Sequence, residues 1–312
     1  MKIAVLGPGG VGGLLAGVLD RAGEDVIVVA REETAAVIAA EGIHVESVTF
    51  GEFEARPRAV AELDEQVDVL IVATKADGIG PALGRIRIAP GLVLPQLNGL
   101  DHIAVLRERF APGSVLAASI RVVADRPRPG MVVHTSPFLL VSMATSHAEA
   151  QAPMHRLGEA LDGAGVPIRV ADEVSAAAEA DVMWSKLVRL NALACTTSAY
   201  DKLLGEIRST PELRADLVGA IEEACAAGRA EGAKDIEPAR AIAELERAHE
   251  TLGSSMQRDI AAGRTPELDA IPGSVMRAAA RHGLPYPTVE RLVGLIAQRA
   301  GVPVPLVSAA AE

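Results

Sequence analysis

A run of glycines and three polar residues carry the chemistry that this sequence displays most directly. Gly7-Pro8-Gly9-Gly10-Val11-Gly12 places Gly7, Gly9 and Gly12 at the G-x-G-x-x-G spacing. The apolar run Ile3 to Leu6 precedes it, and a helical pattern of small residues from Val11 to Ala22 follows. Gly7 allows a tight turn off a strand, Gly9 lets backbone approach a pyrophosphate, and Gly12 lets the helix pack closely on the sheet. Free N–H groups at the helix start favour anionic oxygens, so the stretch reads as a dinucleotide site. The spacing alone is common. A second strand pattern at Asp25 to Ala30, at the expected distance, supplies the context.

Arg31, Lys75 and Asn98 each follow an apolar strand pattern, and ligands of open parallel sheets sit at the carboxyl ends of the strands. Arg31 stands where an NAD-specific protein carries an acid for the ribose hydroxyls. A guanidinium there suits a 2′-phosphate by charge and by its planar fork of donors, which favours NADP(H). Glu32, the next residue, is the group that could instead serve NAD(H). Lys75 ends the apolar run Val69 to Ala73, and Asn98-Gly99 follows Leu92 to Leu97. Their plain readings are a solvated strand end and a turn; their positions make both candidates for cofactor contacts. His134 falls inside a strand pattern and reads as a satisfied core histidine rather than a catalytic one.

The elements that must hold these residues alternate through the first half of the chain. Strand patterns recur at 43–48, 55–59, 68–74, 91–97, 115–123, 131–134, 139–142 and 168–170, with a helix at 149–163. Alternation of this kind predicts a doubly wound α/β sheet. After Ser175 only helical patterns remain, at 179–198, 211–231, 238–251, 273–282 and 287–301, several opening with Pro or closing at Gly. We therefore expect two domains, 1–171 and 172–312, the second all-α, with a frayed tail from Val302 to Glu312.

Composition excludes several classes. A length of 312 residues exceeds what one core usually holds. Net charge of −11 disfavours nucleic acid or an anionic membrane as the main partner. Two cysteines, Cys195 and Cys225, are too few for a disulfide framework and read as buried free thiols. No stretch has the length of a membrane span, the apolar start is too short for a signal peptide, and no metal spacing appears. A cytoplasmic protein is expected, and a homodimer is compatible with the alanine-rich helices.

Further along stand Trp184-Ser185-Lys186-Leu187, Ser254-Ser255-Met256 and Thr265-Pro266-Glu267-Leu268-Asp269. With the glycine turn, Arg31, Thr74-Lys75-Ala76 and Asn98-Gly99, these motifs make nearly the whole chain resemble the ketopantoate reductases (2-dehydropantoate 2-reductases). The resemblance implies a Rossmann-type domain followed by an all-α domain, with the active site in the cleft between them. It implies NADPH-dependent reduction of a 2-oxo acid to a 2-hydroxy acid, in pantothenate biosynthesis for the namesake. By that resemblance Lys186 is the general acid and Glu267 faces it and the cofactor. Ser255 bonds the substrate, Lys75 and Asn98 line the cofactor side, and Ala124 presents its backbone to the cofactor. A cation at Lys186 suits the chemistry, because an alkoxide develops on the carbonyl oxygen as hydride arrives.

The chain also departs from that pattern. The family carries Asn four and often eight residues after the catalytic Lys, where this chain has Leu190 and Ala194. Asn191 is five positions on, about 140° round a helix from Lys186, whereas the fourth residue lies about 40° away. It reaches substrate only if the helix bulges. A later family Asn is replaced by Leu204, ahead of Gly205-Glu206. Arg189 could clamp a substrate carboxylate or remain a surface residue. The lost amides point to a more apolar pocket. Two alternatives therefore stand beside ketopantoate reduction: a paralogue acting on another 2-oxo acid, and a non-catalytic NADP(H)-binding regulator. Retention of both Lys186 and Glu267 speaks against the regulator.

Overall fold

The computed structural model of the protein describes residues 1–307. In chain order the first half contains β1 (Lys2–Leu6), α1 (Gly10–Arg21), β2 (Asp25–Val29), α2 (Glu32–Glu41), β3 (Ile43–Ser47), β4 (Gly51–Ala55) and β5 (Arg58–Val60). It continues through β6 (Val69–Val72), α3 (Ile79–Leu83), β7 (Leu92–Pro95), α4 (His102–Arg109), β8 (Ala117–Arg121) and β9 (Ala124–Asp125). β10 (Met131–His134), β11 (Leu140–Ala144), α5 (Ala148–Gly163) and β12 (Ile168–Val170) complete it.

Five parallel strands form a sheet in the order β5-β2-β1-β6-β7. The order reverses between β1 and β6, so the chain winds outward twice from the same centre. All of β6 and β7 is buried, as parallel strands covered on both faces require. Alternate residues feed two cores. Ile3, Val5, Val69, Ile71, Leu92 and Leu94 pack with Leu14 and Leu15 of α1 and Leu157 of α5. Ala4, Leu6, Leu70, Val72 and Val93 pack with Ile79 of α3 and Leu106 of α4.

The remaining strands do not extend this sheet. They make a four-stranded sheet, β4-β3-β10-β9, and a three-stranded one, β12-β11-β8. Alternation along the chain carries no pairing information, and here β3–β4, β9–β10 and β8–β11 pair antiparallel. The strand expected at 55–59 is two strands separated by Arg56-Pro57, because Pro57 has no N–H for a ladder.

The second half contains α6 (Ala176–Tyr200), α7 (Leu204–Ser209), α8 (Pro211–Ala230), α9 (Pro238–Arg247), α10 (Ser255–Ala261), a π-turn at Asp269–Gly273, α11 (Ser274–Arg281) and α12 (Pro287–Ala300). The fold is thus an α/β domain followed by a helical one. Two compact units emerge: Met1–Leu97 with His102–Val182, and Asn98–Asp101 with Met183 onward. Strands give way to helices at 171–175, but the units part farther on, inside α6. Of the tail expected to fray, 308–312 lie outside the described residues, while Leu306 accepts a hydrogen bond from Arg277.

His134 is buried in β10 and fully partnered. The Ser136 hydroxyl donates to the Phe138 carbonyl (2.7 Å), so the His134 Nε2–H must donate to Ser136 (3.2 Å). Nδ1 then accepts from the Ser47 hydroxyl (2.8 Å). Burial lowers the His134 pKa, outweighing an opposing hydrogen-bond contribution at Phe138. Because the folded value lies below the unfolded one, this contribution to stability is complete above about pH 6.5 and is lost as pH falls through the folded value. Urea titrations should show wild type losing stability on acidification more steeply than His134→Gln.

Candidate active site

The glycine turn is built by close backbone contacts at the end of β1. Gly7 adopts φ +90° and its N–H bonds the Val29 carbonyl (3.0 Å), while the Gly9 N–H bonds back to the Gly7 carbonyl (2.8 Å). A Cβ on Gly12 would lie 2.2 Å from the Gly7 oxygen, so α1 can start against β1 only without a side chain there. A Cβ on Gly10 would lie 2.0 Å from the Ala124 oxygen, which places the Ala124 main chain on the glycine turn. Gly9 has nothing within 4 Å of where its Cβ would be. No side chain caps α1 and no acid occupies its first turn.

The strand ends beside this turn hold unusual polar groups. Thr74 packs its methyl against Gly7, and its hydroxyl is buried with no hydrogen-bond partner. Gln96, just beyond β7, is 5% exposed and neither its amide nitrogen nor its oxygen is paired. An open glycine cradle, an uncapped helix start and unsatisfied polar atoms at adjacent strand ends fit a dinucleotide. Arg31 is exposed at the start of α2. Its neighbour Glu32 bonds Arg85 (3.3 Å), which also donates to the Ala61 carbonyl (2.9 Å). Backbone hydrogen bonding, then Arg85, holds the Glu32 carboxyl below its ordinary range. Lys75 is exposed at the start of a 3₁₀ turn, Ala76–Gly78.

Asn98 differs from its expected setting. It follows β7 in sequence but belongs to the helical unit, where its side chain joins two others. Lys186 Nζ donates to Asn98 Oδ1 (2.7 Å), and Asn98 Nδ2 donates to Glu267 Oε2 (2.8 Å). Three residues distant in sequence are therefore in one hydrogen-bonded chain. Trp184 and Leu187, each 2% exposed, set the rotation of α6, leaving Lys186 half-buried. Trp184 lies on Gly228 of α8, where a Cβ would come within 2.8 Å of the indole.

Gly99 adopts φ +82°, and a Cβ there would lie 2.0 Å from the Ala270 oxygen. Arg277 of α11 reaches Asp101 (2.5 Å) and Asp269 (2.8 Å), tying the segment after Asn98 to the π-turn after Glu267. Sequence inspection missed Arg277, Arg85 and Gln96. Only Gln96 had a readable signal, a polar residue in an otherwise apolar strand.

Ser255 opens α10 and is half-buried. Ser254 caps that helix, accepting from the Gln257 N–H (3.0 Å), and its hydroxyl pairs with Thr197 (2.8 Å). Thr197 also donates to the Leu193 carbonyl (2.7 Å). Along the Lys186 face of α6, Leu190 is half-buried while Ala194 and Thr197 are fully buried. Asn191 is not brought to Lys186. It is fully buried, and its Oδ1 faces the Cys195 thiol (3.5 Å), because five helical positions turn it away and no bulge restores it. Arg189 folds onto the Ser185 carbonyl (2.9 Å) and pairs with Glu244 of α9, so it braces two helices.

Leu204 is fully buried. The buried thiols are pushed up by burial, Cys225 to about 11. Among the described residues no His, Cys, Asp or Glu cluster could hold a metal, and no helix is long and apolar enough to cross a membrane.

A doubly wound domain with a glycine cradle, followed by a helical domain in which Lys186, Asn98 and Glu267 form one hydrogen-bonded chain, fits a dinucleotide-type oxidoreductase. Residues 3–142 match the ketopantoate reductase PanE/ApbA family and residues 163–306 match its C-terminal domain. The chain belongs to the ketopantoate reductase family. A 2-dehydropantoate 2-reductase of Mycobacterium tuberculosis is 31% identical over 305 residues, spanning 95% of this chain and 96% of its own. Among solved structures, a PanE/ApbA family ketopantoate reductase from Ralstonia eutropha JMP134 has a TM-score of 0.81 at 27% identity, covering 96% of this chain and 99% of its own. D-mandelate dehydrogenase with NADH and anilino(oxo)acetate has a TM-score of 0.86 with the same coverages. At 20% identity that likeness is one of fold.

The glycines make separable predictions. Gly12→Ala should cost about 1–3 kcal/mol in urea unfolding through overpacking. Gly9→Ala should leave stability nearly unchanged yet weaken dinucleotide binding about tenfold or more, measured by calorimetry, because only a ligand would meet its methyl.

Proposed function

We propose that this protein reduces a 2-oxo acid to a 2-hydroxy acid with NADPH, ketopantoate to pantoate being the first reading. The observation that carries it is the Lys186–Asn98–Glu267 chain. NADPH, when bound, supplies the hydride. Lys186 polarises the carbonyl oxygen and delivers the proton that neutralises the alkoxide. Asn98 aims the ammonium group, and Glu267 holds the other end of the amide. Ser255 bonds the substrate. The amides at the start of α1 hold the pyrophosphate and Arg31 takes the 2′-phosphate, with Lys75 and the Ala124 main chain on the cofactor side. The reading implies a cytoplasmic enzyme acting on a small molecule.

NADPH is favoured over NADH because Arg31 is exposed while Arg85 engages the acid beside it. The fold itself does not decide the matter, since D-mandelate dehydrogenase carries it with NADH. A second reading, a 2-oxo acid with a more apolar chain, is favoured by Leu190 and Ala194 on the Lys186 face and by the inward turn of Asn191. A pocket lacking partners for a substrate hydroxyl discriminates poorly in its favour.

NADPH oxidation with ketopantoate, branched and aromatic 2-oxo acids tests both readings. Lys186→Ala should lower kcat about 10²–10⁴-fold while NADPH still binds; undiminished turnover would remove Lys186 from the chemistry. Ketopantoate should lead the panel under the first reading, and a branched or aromatic acid under the second. In parallel, Arg31→Ala should weaken NADPH binding about tenfold or more with little effect on NADH. Arg85→Gln, by releasing Glu32, should shift the preference toward NADH by roughly severalfold.

A further inference from the structure

We propose that Gln96 is a cofactor-recognition residue whose side-chain amide pairs with the carboxamide of the nicotinamide ring. The inference rests on the dinucleotide reading above and deepens it. Three observations place Gln96 at that half of the ligand. Its N–H continues the β6–β7 ladder, bonding the Val72 carbonyl at 2.7 Å, so it stands at the carboxyl end of an edge strand of the parallel sheet. Alternation puts its side chain on the face of Leu92 and Leu94, the face that α1 covers. Ala73, on the adjoining strand end, lies on that face too, 3.0 Å from where a Gly12 Cβ would stand. Gln96 is thus two strands from the glycine turn, on the side away from β2 and Arg31.

A dinucleotide held by its pyrophosphate at β1, with its adenosine half toward β2, extends its nicotinamide half over β6 and β7. The chemistry of the residue then selects its target. An amide offers donor and acceptor side by side, and at 5% exposure neither Gln96 atom has a partner. Burying such a group unpaired is unfavourable, and leucine or methionine would fill the position without that penalty. A primary carboxamide presents the complementary donor and acceptor, and pairing both would fix which way the ring faces. Thr74, whose buried hydroxyl is likewise unpaired, marks the adjacent strand end as polar for the same ligand.

The test uses the full-length protein and measures binding by calorimetry, with NADPH, 2′-phospho-ADP-ribose (no nicotinamide), and the acetylpyridine analogue of NADP (no amide nitrogen). Gln96→Leu should raise the melting temperature of the ligand-free protein. It should weaken NADPH about tenfold and leave 2′-phospho-ADP-ribose within about twofold. Wild type should bind NADP more tightly than the acetylpyridine analogue, and the variant should bind the two alike. Gln96→Met repeats the comparison if the leucine variant folds poorly, and the analogue preference of wild type needs no variant. Equal effects on NADPH and 2′-phospho-ADP-ribose, or no effect on either, would overturn the assignment of Gln96. Failure of wild type to bind any of the three would instead overturn the dinucleotide reading.

Discussion

One amide organises the chemistry of the helical unit. Asn98 accepts from the Lys186 ammonium with its oxygen and donates to the Glu267 carboxylate with its nitrogen. The two ends are chemically distinct, so the amide has a single sensible orientation: reversed, it would set donor against donor and oxygen against carboxylate. The interposed neutral amide links the ammonium to the carboxylate in one fixed orientation. Reduction of a carbonyl calls for a cation aimed at the oxygen on which charge develops.

Holding that amide requires unusual backbone nearby. Gly99 sits at positive φ with the Ala270 carbonyl where a side chain would be. Arg277 binds the acids on either side, Asp101 and Asp269. The Asp269–Gly273 π-turn, with Pro272 inside it, interrupts what would otherwise be a regular helix start. Irregular turns of this sort concentrate where a side chain must be aimed. Here the loop after a parallel strand and a turn before a helix are locked together so that Asn98 and Glu267 meet.

The dinucleotide side follows a different logic. Its glycines are not interchangeable: Gly10 and Gly12 are required by protein packing, Gly9 by the space beside it, Gly7 by its dihedral angle. Polar atoms left unpaired at the strand ends, in Thr74 and Gln96, cost stability in the ligand-free protein. A chain selected for stability alone would place apolar residues there. Their presence is the mark of a surface shaped for something else.

By itself the sequence determined the architecture and the roster. Strand runs long and apolar enough to be buried on both faces, the glycine spacing, and helical periodicity with Pro and Gly at the ends are local signals, and local signals survive in one dimension. They sufficed for the doubly wound sheet, the helical second half, and the candidacies of Gly7 to Gly12 and Arg31, whereas Lys186 and Glu267 stood out only through the family resemblance of the motifs that carry them. Pairing is not local. Nothing in 115–170 disclosed that those strands would leave the main sheet for two smaller mixed ones. Helical angles already warned that Asn191 would turn from Lys186, but only packing settled that it is fully buried beside Cys195. Asn98 reads in sequence as the end of a sheet strand, and tertiary structure alone joins it to Lys186 and Glu267, 88 and 169 residues away. Partners such as Arg85 for Glu32 and Glu244 for Arg189 were invisible for the same reason: an ion pair depends on distance in space, which residue order does not encode.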